Sequence, residues 1–243
     1  MGIARLFRKR KAPDNAADND AAMLEFYAQF VSSGDLIFDV GANVGNRVNI
    51  FLKLEAEVVA IEPQDECIDL LKSRFGGSEK LTIVQGVLGS SVGEAELMVS
   101  SANTLSTLSE EWVESVKSSG RFSKFSWDSR KSVSMTTLDQ LIQHHGSPAL
   151  IKIDVEGFEH EVVAGLSQPV KHISLEFTPE HINSTFKCVR HLESLGSVLF
   201  NYSVGESMQL SLKEYVSSEE IIKILEEFEG DISVFGDVYC LFV

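Results

Sequence analysis

The sequence predicts one α/β domain built on a mostly parallel sheet with helices on both faces. Three observations carry this prediction. Short apolar runs alternate with stretches of helical periodicity along most of the chain. Two of those runs end in turns that combine carboxylates with glycine, as strands do at a ligand-binding edge. The 243 residues, 44% hydrophobic and 23% charged, suit a single domain with one substantial core.

The elements follow in order. A helix is expected over residues 20–31, with Met23, Phe26, Tyr27 and Phe30 on one face. Residues 36–40 form an apolar run short enough for a buried parallel strand. A helix over 44–54, a strand over 57–62 stopped by Pro63, a helix over 65–75 and a strand over 81–88 continue the alternation. Residues 95–99 read as a short strand. Residues 100–131 are Ser-rich and poorly periodic, an insertion over one end of the sheet with a short helix near 110–116. Thr137 opens a helix with Gln140 in capping-box position. A strand over 149–155, a helix over 158–166 and a strand over 172–177 come next. The last third predicts a helix over 180–195, extended chain over 197–202 and a short strand over 208–212. It closes with a helix capped by Ser217 and Glu220, and a final strand over 238–243.

Composition narrows the function. A net charge of −15, from 21 basic and 36 acidic residues, argues against a nucleic-acid partner, because phosphate neutralisation requires a basic surface. Cys67, Cys188 and Cys240 are odd in number and far apart, which predicts buried free thiols in a reducing, cytoplasmic setting. Residues 1–11 differ from the rest, carrying Arg5, Arg8, Lys9, Arg10 and Lys11 with no acid. Residues 1–19 are expected to be a basic and polar tail ahead of a domain over 20–243. Residues 1–11 offer weak peripheral contact with an anionic inner membrane surface.

The sharpest motif is Asp39-Val40-Gly41-Ala42-Asn43-Val44-Gly45, between a predicted strand and a predicted helix. Gly41 suits a tight turn with close backbone approach, and Asn43 tolerates an unusual backbone angle and offers an amide. Gly45 is expected to let the helix pack near the strand. The glycines are spaced as GxxxG rather than as in a dinucleotide fold, and Asp39 suits the ammonium of a zwitterionic ligand better than a pyrophosphate. Glu62-Pro63, about 20 residues on, puts a carboxylate where a ribose binds. Gly86 and Val87, at the end of the third strand, flank an adenine edge. In Lys152-Ile153-Asp154-Val155-Glu156-Gly157-Phe158-Glu159 a second strand ends in acids. Asp154 and Glu156 lie at its tip, and Glu159 reads as a helix-dipole acid.

Together these residues resemble the FkbM family of methyltransferases. The resemblance rests on the turn at 39–45, the Ala60–Pro63 strand end, Thr137-Leu138-Asp139, the stretch 152–159 and Leu175-Glu176-Phe177. It implies a Rossmann-like class I methyltransferase fold, with a seven-stranded sheet and an antiparallel C-terminal strand. It implies S-adenosyl-L-methionine as donor and a hydroxyl on a sugar, glycan or natural product as acceptor. Asp39, Gly41, Ala42, Asn43, Gly45, Glu62, Pro63, Gly86 and Val87 are then the candidate donor-binding residues. Asp154, Glu156 and His181 are the candidate catalytic residues, with Glu176 behind them. No metal is expected, because two neighbouring acids are not a full ligand set. The alternative class is a non-catalytic binding or scaffold protein on the same fold.

Overall fold

The structure is a computed structural model that describes residues 16–243. The basic segment 1–11 lies outside the described residues. α1 (Ala16–Tyr27) begins four residues before the expected domain start and ends earlier than expected, so Phe30 and Val31 pack from the turn that follows it.

β1 (Leu36–Val40), β2 (Glu57–Glu62) and α3 (Asp65–Phe75) have the expected bounds, with α2 (Asn46–Lys53) between the two strands. The run over 81–88 divides at Gly86 into β3 (Leu81–Gln85) and β4 (Val87–Leu88). β5 (Gly93–Val99), α4 (Glu110–Ser119) and β6 (Ser129–Thr136) follow. β6 was not expected. It pairs antiparallel with β5 and parallel with β4, making a second, three-stranded sheet. Only Val133 of its eight residues is buried, so β6 has almost no apolar face and its sequence carries no two-residue period.

α5 (Leu138–His145) has the expected cap, Thr137 Oγ1 accepting from Gln140 N at 3.2 Å. The box is not closed, since the Gln140 side chain meets Thr136 instead. β7 (Leu150–Ile153), α6 (Glu159–Ala164), β8 (His172–Phe177), α7 (Ile182–Leu195), β9 (Val198–Val204), α8 (Ser218–Glu226) and β10 (Gly236–Phe242) complete the chain. The capping box at Ser217 and Glu220 is present in full. The strand expected over 208–212 is absent. That stretch is irregular chain, held by single bonds such as Ser211 N to Tyr202 O and by Asn201, whose side chain satisfies Leu212.

The main sheet has seven strands in the order β3-β2-β1-β7-β8-β10-β9. All neighbours are parallel except β10, which runs antiparallel to both β8 and β9. Alternate side chains feed two apolar layers. Phe38, Val40, Val59 and Ile61 face α5, α6, α7 and α8. Ile37, Val58, Ala60, Leu150 and Tyr239 face α1, α2 and α3. The insertion has a small core of its own around Trp112, which is fully buried. All three cysteines are buried and free. Among the described residues, no helix is long and apolar enough to cross a membrane.

Candidate functional site

The strand order switches direction at β1, which is parallel to both β2 and β7, and the carboxyl ends of these strands open onto one cavity, where open parallel sheets place ligands. Gly41, at φ 84°, lies in the turn after β1. A Cβ there would stand 1.8 Å from the carbonyl oxygen of Asp154, so only glycine lets the two strand tips approach this closely. Asn43, also left-handed at φ 47°, caps the turn with its own side chain, Oδ1 accepting from Val44 N at 2.8 Å. Gly45 serves a different contact from the expected one. Its missing Cβ makes room for Leu71 and Phe75 of α3, not for a strand.

Glu62 organises the turn. Its Oε2 accepts from Asn43 N at 2.9 Å, and its Oε1 accepts from Gln64 N at 2.9 Å. Burial pushes its carboxyl up, opposed by those backbone bonds. Asp39 does not share this task. It is buried, its Oδ2 has no partner among the described residues, and burial raises its carboxyl to about 7 against the pull of Lys152 and Arg47.

Of the nine expected donor residues, Gly41, Asn43, Glu62, Pro63, Gly86 and Val87 line the cavity. Asp39, Ala42 and Gly45 are buried and do not line it. The Gly86 amide is already engaged, donating to the Glu62 carbonyl at 3.2 Å, so the wall beside it is the apolar pair Val87 and Leu88. The insertion supplies the opposite wall through Asn103, Ser106 and Thr107. Gln64 ties it down, its Nε2 donating to Asn103 O at 2.9 Å and its Oε1 accepting from Ser106 at 3.0 Å. No motif marks these residues. The sequence placed the insertion over the sheet end but not its contacts.

At the far end Asp154, Glu156 and Glu176 converge, with one carboxylate oxygen from each within 4.8 Å of the others. The third acid comes from β8, so the two-acid set read from the sequence is three in the fold. Lys152, 1% exposed, donates to Asp154 Oδ2 at 3.1 Å and to Asp237 Oδ1 at 3.0 Å. Burial, with Asp154 and Glu159 nearby, holds Glu156 well above the usual carboxylate range. Glu176 is raised likewise by burial, with Asp154 and Glu156 adding to it. Glu156 stands at φ 56°, a strained angle for a side-chain-bearing residue, and Thr107 holds it by donating to its carbonyl at 2.6 Å.

Glu159 does more than the expected helix-dipole acid. It is buried, and its Oε1 accepts from Val155 N at 3.1 Å and Gly157 N at 3.2 Å, tying the acid-bearing turn together. His181 precedes α7 as its N-cap and does not line the cavity, and burial lowers its imidazole below the ordinary value.

A family model described as the methyltransferase FkbM domain matches residues 39–226. A chloroplastic ribosomal RNA small subunit methyltransferase of Arabidopsis thaliana is 36% identical over 55 residues, covering 23% of this chain and 16% of that protein. The chain therefore matches only about a sixth of that relative's length. Precorrin-6y C5,15-methyltransferase of Geobacter metallireducens overlays with a TM-score of 0.49 at 11% identity, covering 92% of this chain and 86% of that one. A TehB-like SAM-dependent methyltransferase of Corynebacterium glutamicum gives 0.43 at 11% identity, covering 91% and 88%.

Proposed function

Because the chain belongs to the FkbM methyltransferase family, with S-adenosylmethionine as its methyl donor, we propose that it methylates a hydroxyl oxygen on a sugar, glycan or natural-product acceptor. The observation that supports this is one cavity with two chemically different ends. One end has the Gly41–Asn43 turn, the Glu62 carboxylate and the apolar Val87–Leu88 wall. The other has three converging carboxylates.

The first end fits the donor by its chemistry. The turn leaves backbone space that a Cβ would fill. Glu62 accepts three bonds, from Asn43 N, Gln64 N and Gln64 Nε2, which leaves about one of a carboxylate's roughly four lone-pair sites for a ribose hydroxyl. Val87 and Leu88 suit a flat apolar edge. The donor brings a methyl group already activated on sulfonium, so the protein's task is alignment and proton removal.

At the second end, Asp154 is assigned as the group that takes the hydroxyl proton. The acceptor oxygen forms its bond to the methyl carbon as the carbon–sulfur bond breaks, leaving S-adenosylhomocysteine and a methyl ether. Burial beside Asp154 pushes the Glu156 and Glu176 carboxyls well above the usual carboxylate range, which favours their protonated, hydrogen-bond-donating form toward a hydroxyl-rich acceptor. His181 has no part in this assignment. The Lys152 ammonium already balances part of the charge at the cluster, which favours metal-free transfer over a cation held by the three acids. The acidic overall charge disfavours an RNA acceptor.

The test is incubation of the full chain with methyl-labelled S-adenosylmethionine and a fractionated extract of the source cells. Label in a small hydroxylated product supports the proposal. Label confined to RNA or protein overturns the acceptor class, and donor binding without transfer to any fraction favours the scaffold alternative.

A further inference from the structure

Arg47 is a buried cation that neither the turn nor the acid cluster accounts for. It lies in the first turn of α2, two residues past Gly45, with its guanidinium 6.0 Å above the ring of Tyr27. Its side chain is 17% exposed. Nη2 donates to Glu206 at 2.6 Å, and Nη1 points at the Met23 sulfur at 2.9 Å, a weak acceptor. Its Nε is buried with no partner among the described residues, and so are the Tyr27 hydroxyl and Asp39 Oδ2.

Glu206, the carboxylate on Arg47, is 55% exposed and sits in the connection between β9 and α8. It lines the cavity, while Arg47 and Asp39 do not. Glu206 therefore stands between the cavity and a cation whose hydrogen-bonding capacity it uses only in part.

We propose that Arg47 receives the carboxylate of the donor's amino-acid end, and that Glu206 occupies that place until the donor enters. This rests on the donor reading above. Glu62 and the Val87–Leu88 wall suit the nucleoside, so the amino-acid end is left to the side of the Gly41 turn. There two groups keep free hydrogen-bonding capacity, the Asp39 carboxyl as an acceptor and the Arg47 guanidinium as a donor. Asp39 Oδ2 suits an ammonium, and the Arg47 fork suits a carboxylate. A guanidinium with a free Nε gains a second hydrogen bond from a carboxylate that approaches in its plane. Glu206 offers a single bond from an exposed side chain, and its carboxylate returns to water when the donor's carboxylate takes its place on Arg47.

The test is calorimetric binding of S-adenosylhomocysteine and of 5′-methylthioadenosine, which lacks the amino-acid end, to the full chain. Glu206→Gln should tighten S-adenosylhomocysteine about 2–10-fold by removing the competitor, and leave methylthioadenosine unchanged. Arg47→Met should weaken S-adenosylhomocysteine about 10–100-fold with methylthioadenosine again unchanged, and Arg47→Lys should recover part of the loss. Equal weakening of both ligands by Arg47→Met assigns Arg47 a structural role and overturns the proposal. No gain from Glu206→Gln overturns the part given to Glu206. Wild-type protein that binds neither ligand overturns the donor reading itself, a distinguishable failure.

Discussion

Lys152 and Asp154 are two residues apart in sequence, one inside β7 and one just past it, and they meet as an ion pair at 3.1 Å with Lys152 1% exposed. Lys152 also holds Asp237 of β10 at 3.0 Å, so one ammonium joins the acid-lined end of the cavity to the antiparallel strand. Lys152→Met would leave Asp237 and Asp154 without their cation. The expected cost is about 3–5 kcal/mol of stability. Denaturant unfolding at pH 7 checks this, and a loss below about 1 kcal/mol would assign the pair a minor structural role.

Asp154→Asn keeps the shape of the strand tip and removes the proposed proton acceptor. Turnover should fall by about 10²–10⁴ while S-adenosylhomocysteine binding stays near wild type. Wild-type turnover in the variant would make Asp154 structural. Chelator should leave the wild-type rate unchanged, and loss of activity that Mg²⁺ restores would turn the three acids into a cation site.

Glu62→Ala removes the acceptor for the Asn43 and Gln64 amides as well as the proposed ribose acceptor. Donor-product affinity should drop by about 1–3 kcal/mol. Part of that reflects a loosened turn, so amide exchange at residues 41–45 should rise in the same variant. Unchanged affinity removes Glu62 from the site.

Gly41→Ala places a Cβ 1.8 Å from the Asp154 carbonyl, where backbone and not a flexible side chain must move. The variant should lose S-adenosylhomocysteine binding and unfold at lower denaturant than wild type. Retention of both would show that the β1 and β7 tips separate readily.

Asp39 and Glu159 set a pH dependence. Burial raises the first from 3.8 to about 7 and the second from 4.5 to about 7. Between about pH 4 and 7 the folded chain thus binds more protons at these groups than the unfolded chain, and stability from them falls as pH rises. The slope is roughly 1.4 kcal/mol per pH unit for each group while the difference is complete. Asp39→Asn should flatten the stability profile over that window and stabilise the protein at pH 8, read by unfolding across pH. An unchanged profile would place the Asp39 carboxyl in its ordinary range.

The sequence by itself determined the strand–turn–helix units. The bounds of β1, β2, α3 and β8 follow from apolar runs stopped by glycine or proline, because a buried parallel strand needs a continuous apolar stretch and its ends need turn chemistry. The motif acids Glu62, Asp154 and Glu156 were legible for the same reason, since each ends such a run. Tertiary structure alone decided what those acids meet. Glu176 lies 20 residues beyond Glu156 and joins it because β8 pairs with β7 in register. Lys152 finds Asp237 across 85 residues, and Gln64 pins Asn103 of a segment with no period to read. β6 and the small second sheet were hidden because β6 buries little beyond Val133 and so lacks an alternating pattern, and the strand expected over 208–212 failed because its backbone partners are side chains and single carbonyls. Local pattern is written in neighbouring residues, whereas proximity between distant ones depends on strand order and register, which only the packed sheet establishes.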